Sequence, residues 1–479
     1  MKTILTKNGY QLIKKKFTKE EIKDFKKQLT VKPYIPYSFG TKIKIETYKV
    51  YKEDDNKLHI PKFFGLKNIG KPDKNEEYKG AKSKMKFKGK LRPKQTVIVK
   101  DVLKSIKEKD GGLISLPCGY GKTVISLYLA CKLKVKTLVI VHKSFLLNQW
   151  VERAEQFTDA KLGIIQQKKI DVEGKDIVIG MLQSIAKDKY DPEIFKEFGL
   201  VIFDEAHHAP SKYFSRALPI ISCKKSIALS ATPKRNDRLE KILFWYFGDL
   251  LYKLESQTSH NVLTKIYKYD LEHKDYREYK LPFKGDVNRP KTLTKICQIK
   301  KRNIFIIDLL KDILIEKDRK VLILSDRIEH LDLLKELIDK KKMPPSDYYI
   351  GGRKQKDLNE ASKAQIILAT FSMASEALDI PELNTLMMVT PRSSIEQSVG
   401  RILRKKDHDV QPLIIDLVDN LNCFANQGKV RRKFYRKKQY KTKLLEVKNN
   451  IILSEEDITK TVIKPRYIKP NLDDVDFID

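Results

Sequence analysis

A short apolar run at 112–116 (GLISL) passes through Pro117-Cys118-Gly119-Tyr120-Gly121-Lys122-Thr123 into a helix-patterned stretch at 123–133. A strand that ends in a glycine-rich loop and restarts as a helix on Lys-Thr is a demanding arrangement. The glycines let backbone N–H groups turn inward with no Cβ in the way. The helix N-terminus adds positive potential. Together they make a cradle for phosphate, with Lys122 reaching the β- and γ-phosphates and Thr123 ligating Mg²⁺. Pro117, Cys118, Gly119, Tyr120 and Gly121 supply the cradle. The expected ligand is ATP with Mg²⁺.

The same feature constrains the fold, because such a loop belongs at the carboxyl edge of a parallel sheet. The neighbouring chain agrees. Short apolar runs at 137–141 (TLVIV), 176–179 (DIVI), 200–203 (LVIF) and 226–230 (SIALS) suit strands buried on both faces, and helical stretches separate them. The run at 200–203 is followed by Asp204 and Glu205. Two acids at a strand's carboxyl tip, downstream of a phosphate loop, suit an ATPase: Asp204 to hold Mg²⁺, Glu205 to orient and deprotonate water. A second series at 321–325, 348–350, 365–370, 385–389 and 413–417 repeats the pattern. The expected class is α/β, with the duplication at domain scale.

The boundaries expected are an N-terminal accessory domain at 1–87, a first α/β domain at 88–255, a connector at 256–300, a second α/β domain at 301–447 and a tail at 448–479. The first 90 residues hold 25 Lys, no Arg and 10 acidic residues, and the run at 41–51 alternates like a strand. The Lys-rich stretch at 80–90 reads as a linker.

Net charge is +35 over 479 residues, which suits a polyanionic partner. Charge alone decides little here, since 79 of the 97 basic residues are Lys and a Lys-rich bias also follows from an AT-rich coding sequence. The five cysteines include no Cys-x-x-Cys pair, which argues against a zinc site or a disulfide framework. No apolar segment is long enough for a membrane span, and the N-terminus lacks an apolar signal region. The expected location is intracellular and soluble, in cytoplasm or nucleus, or a virion if the chain is viral.

Further residues specify the kind of ATPase. Lys94-Gln95, Lys122, Asp204, Ser230-Ala231-Thr232, Asp379 and Gln397-x-x-Gly400-Arg401-x-x-Arg404 occur in an order and spacing that resemble superfamily 2 helicases. The resemblance covers about residues 88–445 and implies two tandem RecA-like domains. It implies Gln95 as adenine reader, Asp379 near the nucleotide ribose, and Ser230-Ala231-Thr232 coupling hydrolysis to domain movement. Residues 137–150, Gln183, Ser184, Thr370 and Ser372 would touch nucleic-acid backbone. Gln397, Arg401 and Arg404 fall on one expected helix, and Arg401 and Arg404, at i and i+3, share a face. The resemblance implies that they act on the γ-phosphate as arginine fingers.

Asp204-Glu205-Ala206-His207 spells the label of RNA helicases that remodel ribonucleoproteins. The flanking residues look different. Ala231-Thr232-Pro233-Lys234-Arg235-Asn236-Asp237 is similar to DNA translocases, and Leu116-Pro117-Cys118-Gly119 with Gly400-Arg401-Ile402-Leu403-Arg404 is similar to the XPB type. The residues Lys57-Leu58-His59-Ile60-Pro61-Lys62-Phe63-Phe64-Gly65 and the run Arg431-Arg432-Lys433-Phe434-Tyr435-Arg436 resemble viral helicases of the poxvirus transcript-release type and their phage relatives. The resemblance implies DNA as the favoured partner, with transcription or replication machinery alongside. An RNA helicase, a duplex translocase that does not separate strands, and an inert scaffold are the alternatives. Intact Lys122, Asp204, Glu205 and Arg401 argue against the last.

Overall fold

The structure, a computed structural model, describes residues 1–34, 45–117, 119–187, 190–231, 234–235, 237–254, 261–282, 285–376, 378, 380–403, 405 and 410–459. The chain divides into two compact units, Met1–Ser256 and Gln257–Asp479.

In the first unit the sheet runs Lys169–Ile170, Leu162–Gln166, Ile177–Met181, Thr137–Val141, Leu200–Phe203, Lys225–Ser230, Gly111–Ser115, Leu250–Lys253. Every pairing is parallel except that of the outermost short strand. The central strands are buried along their whole length, which is why they read as unbroken apolar runs. Helices Lys122–Leu133 and Ser144–Phe157 follow two of them, placing the connecting loops at the carboxyl edge.

The accessory segment folds onto this unit. Thr3–Thr6, Gly9–Ile13 and Lys57–Ile60 form an antiparallel core around Leu5, Tyr10, Leu12, Leu58 and Ile60. Helix Lys62–Asn68 is the docking element. Phe64 meets Trp245 edge-on with ring centroids 5.5 Å apart. Buried Lys62 Nζ donates to Glu77 Oε1 at 2.6 Å and to the Lys224 carbonyl at 2.9 Å. The expected strand at 41–51 lies partly outside the described residues; its described end holds strand Tyr48–Lys49.

Residues 80–90 are not a free linker. Their backbone bridges Val135 and Thr158, Ser83 N–H donates to the Lys134 carbonyl, and Lys88 N–H donates to the Phe157 carbonyl.

The second unit's sheet runs Ser346–Tyr349, Ile366–Thr370, Val321–Ser325, Thr385–Met388, Leu413–Asp419, Leu263–Asp270, Lys441–Lys448, Ile451–Asp457. All neighbours are parallel but the last pair. Two expectations differ here. The connector expected at 256–300 supplies a strand inside this sheet, Leu263–Asp270, and helix Arg289–Cys297. The tail expected from 448 opens with strand Ile451–Asp457. Both strands carry charged side chains among the apolar ones, so composition disguised them. Two ion pairs lie fully inside the unit: Arg302 with Asp419 at 2.8 Å and Arg431 with Asp416 at 2.8 Å. Removing either partner of such a pair would leave a buried charge uncompensated.

Candidate functional site

The phosphate loop leaves strand Gly111–Ser115 and enters helix Lys122–Leu133. Gly119 and Gly121 sit at φ +80° and +75°, a region that L side chains rarely adopt. A Cβ on Gly121 would lie 2.5 Å from Gln95 Nε2, whereas one on Gly119 would meet nothing within 4 Å. The loop is closed on the Gln95 side and open at Gly119, which fits a cradle for phosphate. Cys118 lies outside the described residues.

Gln95 is buried, and its amide is used within the chain. Nε2 donates to the Tyr120 carbonyl at 3.0 Å, and Oε1 accepts from Arg92 N–H at 2.9 Å. The residue expected to read adenine therefore also braces the phosphate loop.

Asp204 and Glu205 follow strand Leu200–Phe203, with strand Lys225–Ser230 between that strand and the one feeding the loop. Lys122 Nζ reaches Glu205 Oε1 at 3.4 Å, so Lys122, Asp204 and Glu205 meet in one place. Asp204 accepts from Trp150 Nε1–H at 2.8 Å and from the Glu205 N–H at 3.0 Å. Burial pushes the Asp204 carboxyl up, with adjacent Glu205 adding to it. Burial acts on Glu205 in the same direction, but Lys122 and His207 outweigh it and hold Glu205 as a carboxylate. A divalent cation would itself favour the charged form of Asp204. Thr123, at the start of the helix, and Asp204 are the two side chains that would hold Mg²⁺.

Beyond the acids, Glu205 adopts φ +47°, and His207 Nδ1 lies 3.3 Å from Glu205 Oε2 and 3.4 Å from Ser230 Oγ. The rings of His207, His208 and His142 lie in a row, tilted to one another by 39° and 32°, with centroids 4.2 and 4.0 Å apart. Arg235 donates to the His207 carbonyl and forms an ion pair with Asp237. Gln183 Nε2 donates to the His142 carbonyl, joining two stretches expected to face nucleic acid. Ser184 Oγ accepts the Gln167 N–H at 3.0 Å. Thr232, Pro233 and Asn236 lie outside the described residues.

Sequence reasoning missed Trp150 as a member of the site. The signal is structural: a fully buried indole needs a partner for its N–H, and that burial appears only in the fold. We expect Trp150→Phe, which keeps the ring but removes the donor, to weaken Mg²⁺ support of nucleotide binding about 10- to 100-fold, as loss of an outer-shell partner does. A Mg²⁺ titration of fluorescent-nucleotide binding reads this. A lowered melting temperature with unchanged half-saturating Mg²⁺ would reduce Trp150 to core packing.

In the second unit the single helix expected to carry Gln397, Arg401 and Arg404 is short. Helix Glu396–Val399 holds Gln397, and the chain continues as turns from Gly400. Arg401 is buried, its Nε donating to the Ala374 carbonyl at 2.7 Å and its Nη2 to the Ser375 carbonyl. Those carbonyls draw the guanidinium towards the end of helix Phe371–Glu376, and glycine gives little support to a continuing helix. Thr370 Oγ1 and the Met373 N–H lie 3.4 Å apart at that helix's start. Arg404 and Asp379 lie outside the described residues.

The family described as "Type III restriction enzyme, res subunit" matches residues 88–235, and "Helicase conserved C-terminal domain" matches 304–406. A protein of Acanthamoeba polyphaga mimivirus, whose name describes an ATP-dependent RNA helicase, is 38% identical over 92% of this chain and 86% of its own length. A helicase-named protein of Invertebrate iridescent virus 6 is 28% identical over 74% of this chain and 82% of its own. Another of Escherichia phage T5 is 28% identical over 68% and 71%. No helix among the described residues is long and apolar enough to cross a membrane.

Proposed function

The chain belongs to the superfamily 2 helicases as an ATP-dependent nucleic-acid helicase of viral type, and we propose that it spends Mg²⁺-ATP to move along and unwind DNA. The observation that supports this reading is the meeting of Lys122, Glu205 and Asp204 beside the phosphate loop. Bound Mg²⁺ would offset phosphate charge and polarise the bond to be broken. The chain's own work is positioning. Backbone N–H groups of residues 119–121 and the Lys122 side chain bind the phosphates. Glu205, kept ionised by Lys122 and His207, orients the attacking water and takes its proton. Trp150 fixes one oxygen of Asp204. The family resemblance assigns Arg401 to the γ-phosphate as an arginine finger.

DNA is favoured by the Ala-Thr-Pro-Lys-Arg-Asn-Asp stretch at 231–237 and the Gly-Arg-Ile-Leu-Arg stretch at 400–404. The name of the mimivirus relative favours RNA as the second reading. ATPase activity titrated with single-stranded DNA, duplex DNA and RNA separates them. We expect stimulation of tenfold or more by DNA, and rates flat with RNA. Stimulation by RNA alone would overturn the DNA reading; indifference to all three would overturn the motor.

A further inference from the structure

The segment at 80–90 has a property that neither an ATPase site nor a linker requires. Lys82, Lys84, Lys86, Lys88 and Lys90 are all exposed, while Ser83 and Met85 between them are buried and Phe87 and Gly89 half-buried. This is strand-like alternation on an extended strap. Its inward side is well anchored. Ser83 Oγ donates to Asp176 Oδ1 at 2.6 Å, and Phe87 packs on Phe157 and Tyr128 with ring centroids 6.0 and 5.1 Å away. A Cβ on Gly89 would lie 2.4 Å from the Phe157 ring, so the strap lies close against it.

The acids beside the strap hold its backbone or other partners. Asp159 accepts the Lys86 N–H at 2.6 Å, Asp176 accepts Ser83 and the Lys161 N–H, and Glu197 pairs with Lys136. The five lysines carry no ion pair among the described residues. Five ammonium groups held in a row by a rigid backbone repel one another, which makes the row costly unless an anion answers it.

We propose that this row is a second nucleic-acid track, taking the phosphate backbone of a strand outside the segments expected to contact nucleic acid. The inference rests on the reading of the chain as a nucleic-acid motor. Same-face residues of an extended segment are spaced ~6.6 Å apart, so the row spans up to ~26 Å. Successive phosphates along an extended strand are separated by a contour distance of the same order, so the row offers one charge per phosphate with no base contact and no sequence preference. The strap starts beside Lys134, Lys136 and Gly199, at the amino ends of strands Thr137–Val141 and Leu200–Phe203. The phosphate loop lies at the opposite, carboxyl edge. A strand held here is held apart from the nucleotide, so it anchors the motor on its substrate whatever the stage of hydrolysis.

The test compares the full chain with two variants that lose the same charge. One carries Lys→Gln at 82, 84, 86, 88 and 90. The other carries Lys→Gln at 311, 317, 340, 342 and 356, all exposed in the second unit. Binding to a single-stranded oligonucleotide long enough to reach both tracks is measured against salt, with ATPase activity without nucleic acid as the check on folding. The first variant should lose about 3 from the slope of log affinity against log salt, the second much less, and basal ATPase should be unchanged in both. Lys→Arg at the five strap positions should retain the wild-type slope. Equal slopes for the two Lys→Gln variants, or a Lys→Arg slope as low as the strap Lys→Gln one, would overturn the track. A flat wild-type line would overturn the motor reading with it.

Discussion

Lys122→Ala is expected to abolish ATP hydrolysis and weaken nucleotide binding, whereas Glu205→Gln binds nucleotide normally and turns over ~10²–10⁴-fold more slowly. The two side chains meet at 3.4 Å, yet their tasks differ. Lys122 supplies charge to phosphate, and without it both the ground state and the transition state lose a partner; loss of one preorganised donor alone costs ~10²–10³-fold in rate. Removing Lys122 also deprives Glu205 of an ion that holds it as a carboxylate. Glu205→Gln keeps shape and hydrogen bonding but has no basic oxygen for the proton of water. Equilibrium binding of a fluorescent nucleotide with single-turnover hydrolysis distinguishes the two. Near wild-type turnover by Glu205→Gln would remove Glu205 from its role.

The second large effect is expected at Arg401. Arg401→Ala should leave nucleotide binding intact and reduce hydrolysis by ~10³–10⁵-fold, the scale of an arginine finger. The structure gives a competing account, because this guanidinium already braces the end of helix Phe371–Glu376 through two carbonyls. A bracing role predicts a lower melting temperature and a rate that falls only with the folded fraction. Measuring kcat, nucleotide affinity and thermal stability on one preparation decides between them. A kcat within tenfold of wild type, with stability lowered, would leave Arg401 as a brace.

The centre of each sheet was legible because its strands are buried on both faces. Thr137–Val141, Leu200–Phe203 and Val321–Ser325 coincide with their apolar runs. Outer strands were harder to read. Leu263–Asp270 alternates buried and part-exposed positions with two lysines, and Ile451–Asp457 is exposed throughout. Periodicity gives no strong signal when one face meets water and the pairing partner is distant in sequence. The phosphate loop and the acid pair were legible because their chemistry is local: a few residues at a strand end. Trp150 was not, since its bond to Asp204 joins positions 54 apart. The strap at 80–90 has the lysine content of a linker, and only the alternation of its lysines with Ser83, Met85, Phe87 and Gly89 distinguishes it from one.

The position of Leu263–Asp270 bears on how the chain is made. This strand emerges first in its unit, yet its sheet neighbours are Leu413–Asp419 and Lys441–Lys448. Until the ribosome has delivered those residues, both edges of the strand stay unpaired, and loop closure across so long a separation is slow. A nascent chain stalled before Lys441 would therefore carry an open parallel-sheet edge, the kind of surface that recruits other strands. The second unit cannot complete its sheet until Lys441–Lys448 has been made, and a holding chaperone would protect the open edge until then.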